Sequence, residues 1–229
     1  MIGIRFAIAI GIAAALTMST AAQAGFVQFA DRGAWSAAAG ASLGGENFES
    51  FLSDTSFQSA PLGLGAGMTI GTLVDGGDPA NNVVDSPPLL TSESDVNGTA
   101  HARVFNGHAA TPLTPFIRFG TPVTAFGADF RNLNDNLVRS IVDLYSEAVL
   151  LDSLTPSVEA SGVVRFWGFA SDSGELVTEI RFRRAANDVF GMDDLALGSA
   201  AASVPEPATL VLLGLGLVGL GLARRRHAG

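Results

Sequence analysis

An antiparallel β-sandwich of jelly-roll type is the fold class the sequence predicts for the interior of this chain, a domain running from residue 25 to residue 198. Three observations carry that prediction. Short runs rich in Val, Ile and Phe alternate apolar with polar side chains, the period of a half-buried strand. Clusters of Gly, Pro, Asn and Asp break the runs at short intervals, supplying turn chemistry. Only one stretch, Ala30 to Ala39 around Trp35, has the spacing of a helix.

The strands follow in order. Phe116-Ile-Arg-Phe119 is a short apolar run, and Val123 to Phe130 sets Phe126, Ala128 and Phe130 against Gly127 and Asp129. Ile141 to Tyr145, Val163 to Phe169 and Met192 to Leu197 are of the same type. From Thr178 the pattern is strict: Ile180 and Phe182 face one way, Glu179, Arg181 and Arg183 the other. Gly120-Thr-Pro122, residues 132–136 and Asp172-Ser-Gly174 read as turns. Residues 53–97 read as long loops with an isolated strand near Met68 to Leu73.

Composition excludes several classes of function. The chain has 229 residues, 22 acids, 13 basic residues that are all Arg, and no Cys, for a net charge of −9. No disulfide scaffold, cysteine nucleophile or cysteine zinc site can form. A nucleic-acid binder needs an excess of positive charge, which is missing. Within residues 25–203 there are 21 acids and 9 arginines, so the domain carries −12. That surface suits solubility outside the cell and repels anionic lipid.

The two ends read as addresses rather than as parts of the fold. In residues 1–24, Arg5 is a positive n-region and Phe6 to Leu16 is an uninterrupted apolar run of 11 residues, too short to span a bilayer. Ala22-Gln23-Ala24 is a small-x-small cleavage site, which makes Gly25 the mature N-terminus. A signal helix handled by the secretory translocon and signal peptidase accounts for that order of features better than a buried helix does. Residues 199–203 are a small-residue linker. In residues 204–229, Pro205-Glu206-Pro207 holds the backbone extended, because proline blocks both helix and sheet. Ala208 to Ala223 is then 16 residues without a charge, followed by Arg224, Arg225 and Arg226. As a transmembrane helix it rises about 24 Å, short of a hydrocarbon core of about 30 Å by an amount that local thinning absorbs. The arginines stay on the cytoplasmic side, which leaves the domain outside.

Proline-bracketed glutamate, Leu/Gly-rich helix and terminal arginines, in that order, closely resemble the PEP-CTERM sorting signal of Gram-negative bacteria that make exopolysaccharide. The resemblance implies recognition of Pro205, Glu206 and Pro207 by exosortase, a membrane cysteine protease resembling transpeptidases. It also implies an inner-membrane intermediate facing the periplasm, then delivery to the cell surface or beyond.

Catalytic motifs are missing from the domain: no Gly-x-Ser-x-Gly, His-Glu-x-x-His, phosphate loop or dinucleotide fingerprint occurs. His101 and His108 read as solvated loop or edge residues, and Asn97-Gly-Thr99 as a turn. Trp35, Tyr145 and Trp167 are candidate sugar platforms, though a sandwich aromatic is more often core. Acids interleave with aromatics at both ends of the domain, in Glu46-Asn-Phe-Glu49 and in Met192-Asp193-Asp194-Leu195. Phe48 inward leaves Glu49 outward on its strand, and Asp193-Asp194 needs either an inward acid or a bulge. If first and last strands are neighbours, these carboxylates converge, and oxygen donors alone select Ca²⁺ over zinc. The plainer reading is exposed strand carboxylates with a turn-forming Asp. Phe-Glu early and Met-Asp-Asp late resemble the Ca²⁺-bearing jelly rolls of the MAM and carbohydrate-binding-module kind. That resemblance implies a structural Ca²⁺ on Glu49, Asp193 and Asp194, with Glu46 beside them. No other cofactor is expected. The end signals lead to the expectation of a secreted, non-enzymatic protein, and the PEP-CTERM resemblance implies a surface or matrix role associated with exopolysaccharide or biofilm. The rival is a secreted carbohydrate-binding module or polysaccharide hydrolase.

Overall fold

A computed structural model of the chain describes residues 25–73, 82–85, 96–105, 107–108, 111–112, 114–134, 140–157, 162–184 and 189–199. The signal segment, the linker beyond Ser199, the apolar helix and the arginine cluster lie outside the described residues. Along the chain run β1 (Phe26–Phe29), α1 (Arg32–Ala39), β2 (Ala41–Glu46), β3 (Thr55–Ser56), β4 (Leu62–Gly63), β5 (Met68–Thr72), β6 (Val83–Asp85) and β7 (His101–Phe105). Then come β8 (Gly107–His108), β9 (Thr111–Pro112), β10 (Pro115–Val123), β11 (Ala125–Arg131), β12 (Ser140–Ser146), β13 (Val149–Leu154), β14 (Val164–Ser171), β15 (Val177–Arg184) and β16 (Val189–Ser199).

Every strand pair is antiparallel, and the strands form two main sheets. One has eight strands in the order β1-β14-β11-β16-β7-β6-β3, with β2 also on β16; the other has six, β13-β12-β15-β10-β5-β4. The alternation that predicts the strands also builds the core. Ile117, Phe119, Ile180 and Phe182 from the smaller sheet pack in one cluster with Phe126, Phe130, Phe169, Phe190 and Met192 from the larger. Ring pairs cross the gap, among them Phe119–Phe126 at 6.0 Å and Phe182–Phe190 at 5.3 Å. The fold is therefore a β-sandwich-like all-β domain, as the patterning predicts.

Helix α1 starts where Asp31 accepts a hydrogen bond from the Ala34 N–H at 2.7 Å, an N-cap. It lies on the outer face of the larger sheet, and Trp35 donates its indole N–H to the Phe169 carbonyl at 3.0 Å. The close fit requires a bare backbone beneath: a Cβ at Gly168 would sit 2.7 Å from the Phe126 carbonyl oxygen and 2.9 Å from the Trp35 ring.

Two local expectations change. Residues 53–97 contain β5 where a strand is predicted, but also the short strands β3, β4 and β6, so this stretch contributes to both sheets. Glu49 is not on a strand: β2 ends at Glu46 and the chain turns through residues 48–51. Phe48 takes φ 60° there, which is rare for a bulky residue, yet its ring is fully buried. The Glu46 carboxylate holds that turn by accepting from the Phe48 N–H at 2.7 Å, and its second oxygen accepts from the Gly65 N–H at 2.6 Å.

Candidate functional site

The predicted acids meet the fold at the junction of β2, β7 and β16. One edge of β16 is shared: β7 pairs with Val189 to Met192, and β2 pairs with Leu195 to Ser199. Asp193 and Asp194 occupy the gap between these partners. On the other edge the register slips between Gly127 and Asp129 of β11, and Asp194 takes φ 48°. This is the β-bulge that two consecutive acids require: it keeps Met192 and Leu195 both in the core while Asp193 leaves it for the opposite face.

Asp193 is 1% exposed. Its carboxylate accepts the Thr99 hydroxyl at 2.8 Å and the Asp194 N–H at 2.7 Å. Burial pushes the Asp193 carboxyl up to about 7, with help from the neighbouring Asp194 and Glu49 charges and against the two hydrogen bonds. Glu49 reaches the same place from the turn after β2, accepting the Ala100 N–H at 2.9 Å. The turn between them has two left-handed residues, Asn97 (φ 60°) and Gly98 (φ 70°), and Thr99 N–H returns to the Val96 carbonyl. Asn97-Gly-Thr99 is thus a turn, as predicted, and it is clamped by one acid from each end of the domain. His101 departs from expectation. It is 2% exposed on β7, with Nδ1 2.9 Å from the Thr99 carbonyl and no partner for Nε2 among the described residues.

The other two acids form a different pair. Glu46 and Asp194 line an open depression of about 580 Å³ with Arg32, Asn47, Gly45 and Leu195. Arg32 bonds Asp129 at 3.0 Å and the Asp194 carbonyl at 3.0 Å. The four carboxylates therefore sort into Glu49 with Asp193 under the turn, and Glu46 with Asp194 in the depression. Among the described residues no group of three or more His, Asp or Glu side chains stands close enough to hold a metal ion.

The aromatic candidates are not open platforms. Trp35 and Trp167 are each 5% exposed, and Trp167 donates to Gln28 Oε1 at 3.0 Å. Tyr145 is covered by the Arg181 guanidinium, 4.0 Å from the ring centroid. Glu175 is held by Ser171 and Ser173, and Glu179 lies between two arginines.

The last described strand, β16, ends at Ser199, and the segment that carries the sorting residues follows in the sequence. The PEP-CTERM protein-sorting motif matches residues 203–226. The chain carries an exosortase sorting signal. The match spans Pro205, Glu206, Pro207 and all three of Arg224, Arg225 and Arg226, the residues singled out in the sequence. A PEP-CTERM signal marks an exported protein that passes a membrane and is recognised by exosortase. Among the described residues no helix is long and apolar enough to cross a membrane; Ala208 to Ala223 lies outside them. A comparison with curated proteins returns no match to the chain.

Proposed function

We propose that this chain is an exosortase substrate whose β-sandwich serves outside the cell as a non-enzymatic adhesive or scaffolding component of the surface matrix. The sorting motif at residues 203–226 carries the reading. After export through the translocon and cleavage by signal peptidase between Ala24 and Gly25, the apolar helix anchors the chain with the domain in the periplasm. Exosortase then grips Pro205-Glu206-Pro207, which the prolines hold extended. The domain supports a structural role through what it is made of: aromatic core residues, satisfied carboxylates and an acidic surface. Glu206→Ala tests the recognition step. The variant should keep its tail and stay in the membrane fraction, whereas a variant released like the wild type contradicts the proposal.

Calcium is a second reading, favoured by one observation: Glu49 and Asp193 converge on a single turn although 144 positions separate them in the sequence. An oxygen-only donor set suits Ca²⁺, which takes six to eight oxygens, so carbonyls and water would complete a shell begun by two carboxylates and Thr99. Glu46 is engaged by Phe48 and Gly65 and is left out of it, as is the exposed Asp194. A bound cation would offset the cost of ionising buried Asp193. Calorimetric titration of the protein with Ca²⁺ decides the matter: the absence of both heat and a melting shift would end this reading.

A further inference from the structure

On the smaller sheet, the face turned away from the core carries a strip of arginines. On β10, Phe116 and Arg118 point outward; on β15, Glu179, Arg181 and Arg183; on β12, Asp143 and Tyr145. Cross-strand register places Arg118 opposite Glu179, Arg181 opposite Phe116 and Asp143, and Tyr145 opposite Glu179. The Glu179 carboxylate is shared: Oε2 takes Arg118 Nε at 2.5 Å and Oε1 takes Arg181 Nε. Asp143 takes Arg183 through Nε and Nη2, and also the Ser153 hydroxyl. Three guanidinium groups thus stand over two carboxylates, and one positive charge is left over.

Depth decides what an approaching molecule meets. The Glu179 and Asp143 side chains are 7% and 4% exposed, while Arg118 and Arg183 are each 50% exposed. Carboxylates lie on the sheet and guanidinium groups above them. Two of the guanidinium planes are also fixed: Arg118 lies 4.1 Å from the Phe116 ring centroid and Arg181 4.0 Å from that of Tyr145. Each is held by Nε and by a ring, and a planar guanidinium fork held in this way is suited to bind carboxylate. On a chain of net charge −9, this is a fixed positive strip.

We propose that this face binds a carboxylate-bearing polysaccharide, a polyuronate, through the guanidinium groups of Arg118, Arg181 and Arg183. The strip spans residues 179–183 of β15, about 13 Å along the strand, so it suits a linear polymer with anionic groups at regular intervals. An acidic peptide would gain affinity by pairing with a strand edge. Here β12, β15 and β10 all have both edges filled, so only side-chain contacts remain. The proposal deepens the matrix reading by naming the chemistry the domain would hold there, and it rests on that reading for the setting alone.

The test is affinity electrophoresis of the full chain in a non-ionic detergent, through gels containing polygalacturonate, neutral dextran or duplex DNA. Polygalacturonate should retard the wild type, dextran should not, and added NaCl should remove the effect. Arg118→Gln with Arg183→Gln should weaken retention about tenfold or more, because charge-assisted bidentate contacts are lost. Arg32→Gln on α1 with Arg165→Gln on β14 removes the same charge from the larger sheet and the helix packed on it, and should bind like the wild type. Arg118→Lys with Arg183→Lys keeps the charge and should fall between, which guards against a glutamine pair that fails to fold. No retardation by polygalacturonate, equal loss in both glutamine pairs, or tighter binding of DNA each overturns the proposal. Tail processing in cells is measured separately, so a failure here leaves the sorting account standing.

Discussion

Asp193→Asn should make the domain more stable at pH 8 and leave it nearly unchanged at pH 4. In the folded protein the Asp193 carboxyl holds its proton up to about pH 7, against an ordinary value of 3.8. Between those values the folded state binds more protons than the unfolded state, so Asp193 costs stability as pH rises, and the cost is complete above pH 7. A shift of about three units corresponds to about 4 kcal/mol. For a domain of this size, melting temperature moves roughly 2–4 °C per kcal/mol, so the effect is on the order of 10 °C. Asparagine fits the site. Its oxygen can keep the Asp194 N–H while its NH₂ donates to a Thr99 hydroxyl that turns round to accept. The assay is thermal melting of both proteins in EDTA from pH 4 to pH 8. The difference should open steadily with pH. Parallel curves, or a variant less stable at pH 8, would refute the reasoning. Under the calcium reading, Ca²⁺ at pH 8 should raise the wild type and leave the variant where it was.

Three further outcomes follow from packing and pairing. Trp35→Ala empties the contact beneath α1 and removes the bond to the Phe169 carbonyl, and should cost about 3–5 kcal/mol by chemical denaturation. Gly168→Ala places a Cβ against the Phe126 carbonyl and Trp35, and should cost about 1–3 kcal/mol in the same assay. Burial pushes the Asp143 carboxyl up, but bonds from Arg183 and Ser153 with the Arg183 and Arg181 charges outweigh it, and the net is a value below the ordinary range. Asp143 therefore contributes stability above about pH 4 that is lost as pH falls through the folded value. Asp143→Asn should flatten that acid limb and cost about 1–2 kcal/mol at pH 7.

Much of the architecture is legible because polar and apolar side chains alternate strictly where one face of a sheet is solvated. Glu179, Arg181 and Arg183 against Ile180 and Phe182 is such a case, and β15 lies where that pattern places it. The helix is legible from Trp35 within a run of small residues behind Asp31, its cap. The meeting of an early and a late acid is legible in outline, since acids embedded among core aromatics must find polar company. Which acids meet is not. That depends on Phe48 adopting a left-handed backbone, which swings Glu49 off its strand toward Ala100, and nothing in the local pattern announces a positive φ at phenylalanine. His101 misleads for a related reason: a polar residue beside turn residues looks solvated, and its burial is set by strand pairing with Asp85 on β6 and by the Thr99 turn. The arginine strip is hidden because Arg118 and Glu179 are 61 positions apart and meet only through register.

We propose one physical division: a β-sandwich whose last described strand ends at Ser199, and behind it a proline-bracketed, greasy address peptide that exosortase reads. Intact-mass spectrometry of the protein recovered from cells with and without exosortase tests it most directly. With the enzyme, the surface or extracellular fraction should hold a species that starts at Gly25 and lacks the apolar tail. Without it, a species that starts at the same residue and keeps Arg224 to Arg226 should stay in the membrane. An identical C-terminal mass in both strains, or a full-length chain in the cytosol, would contradict the account.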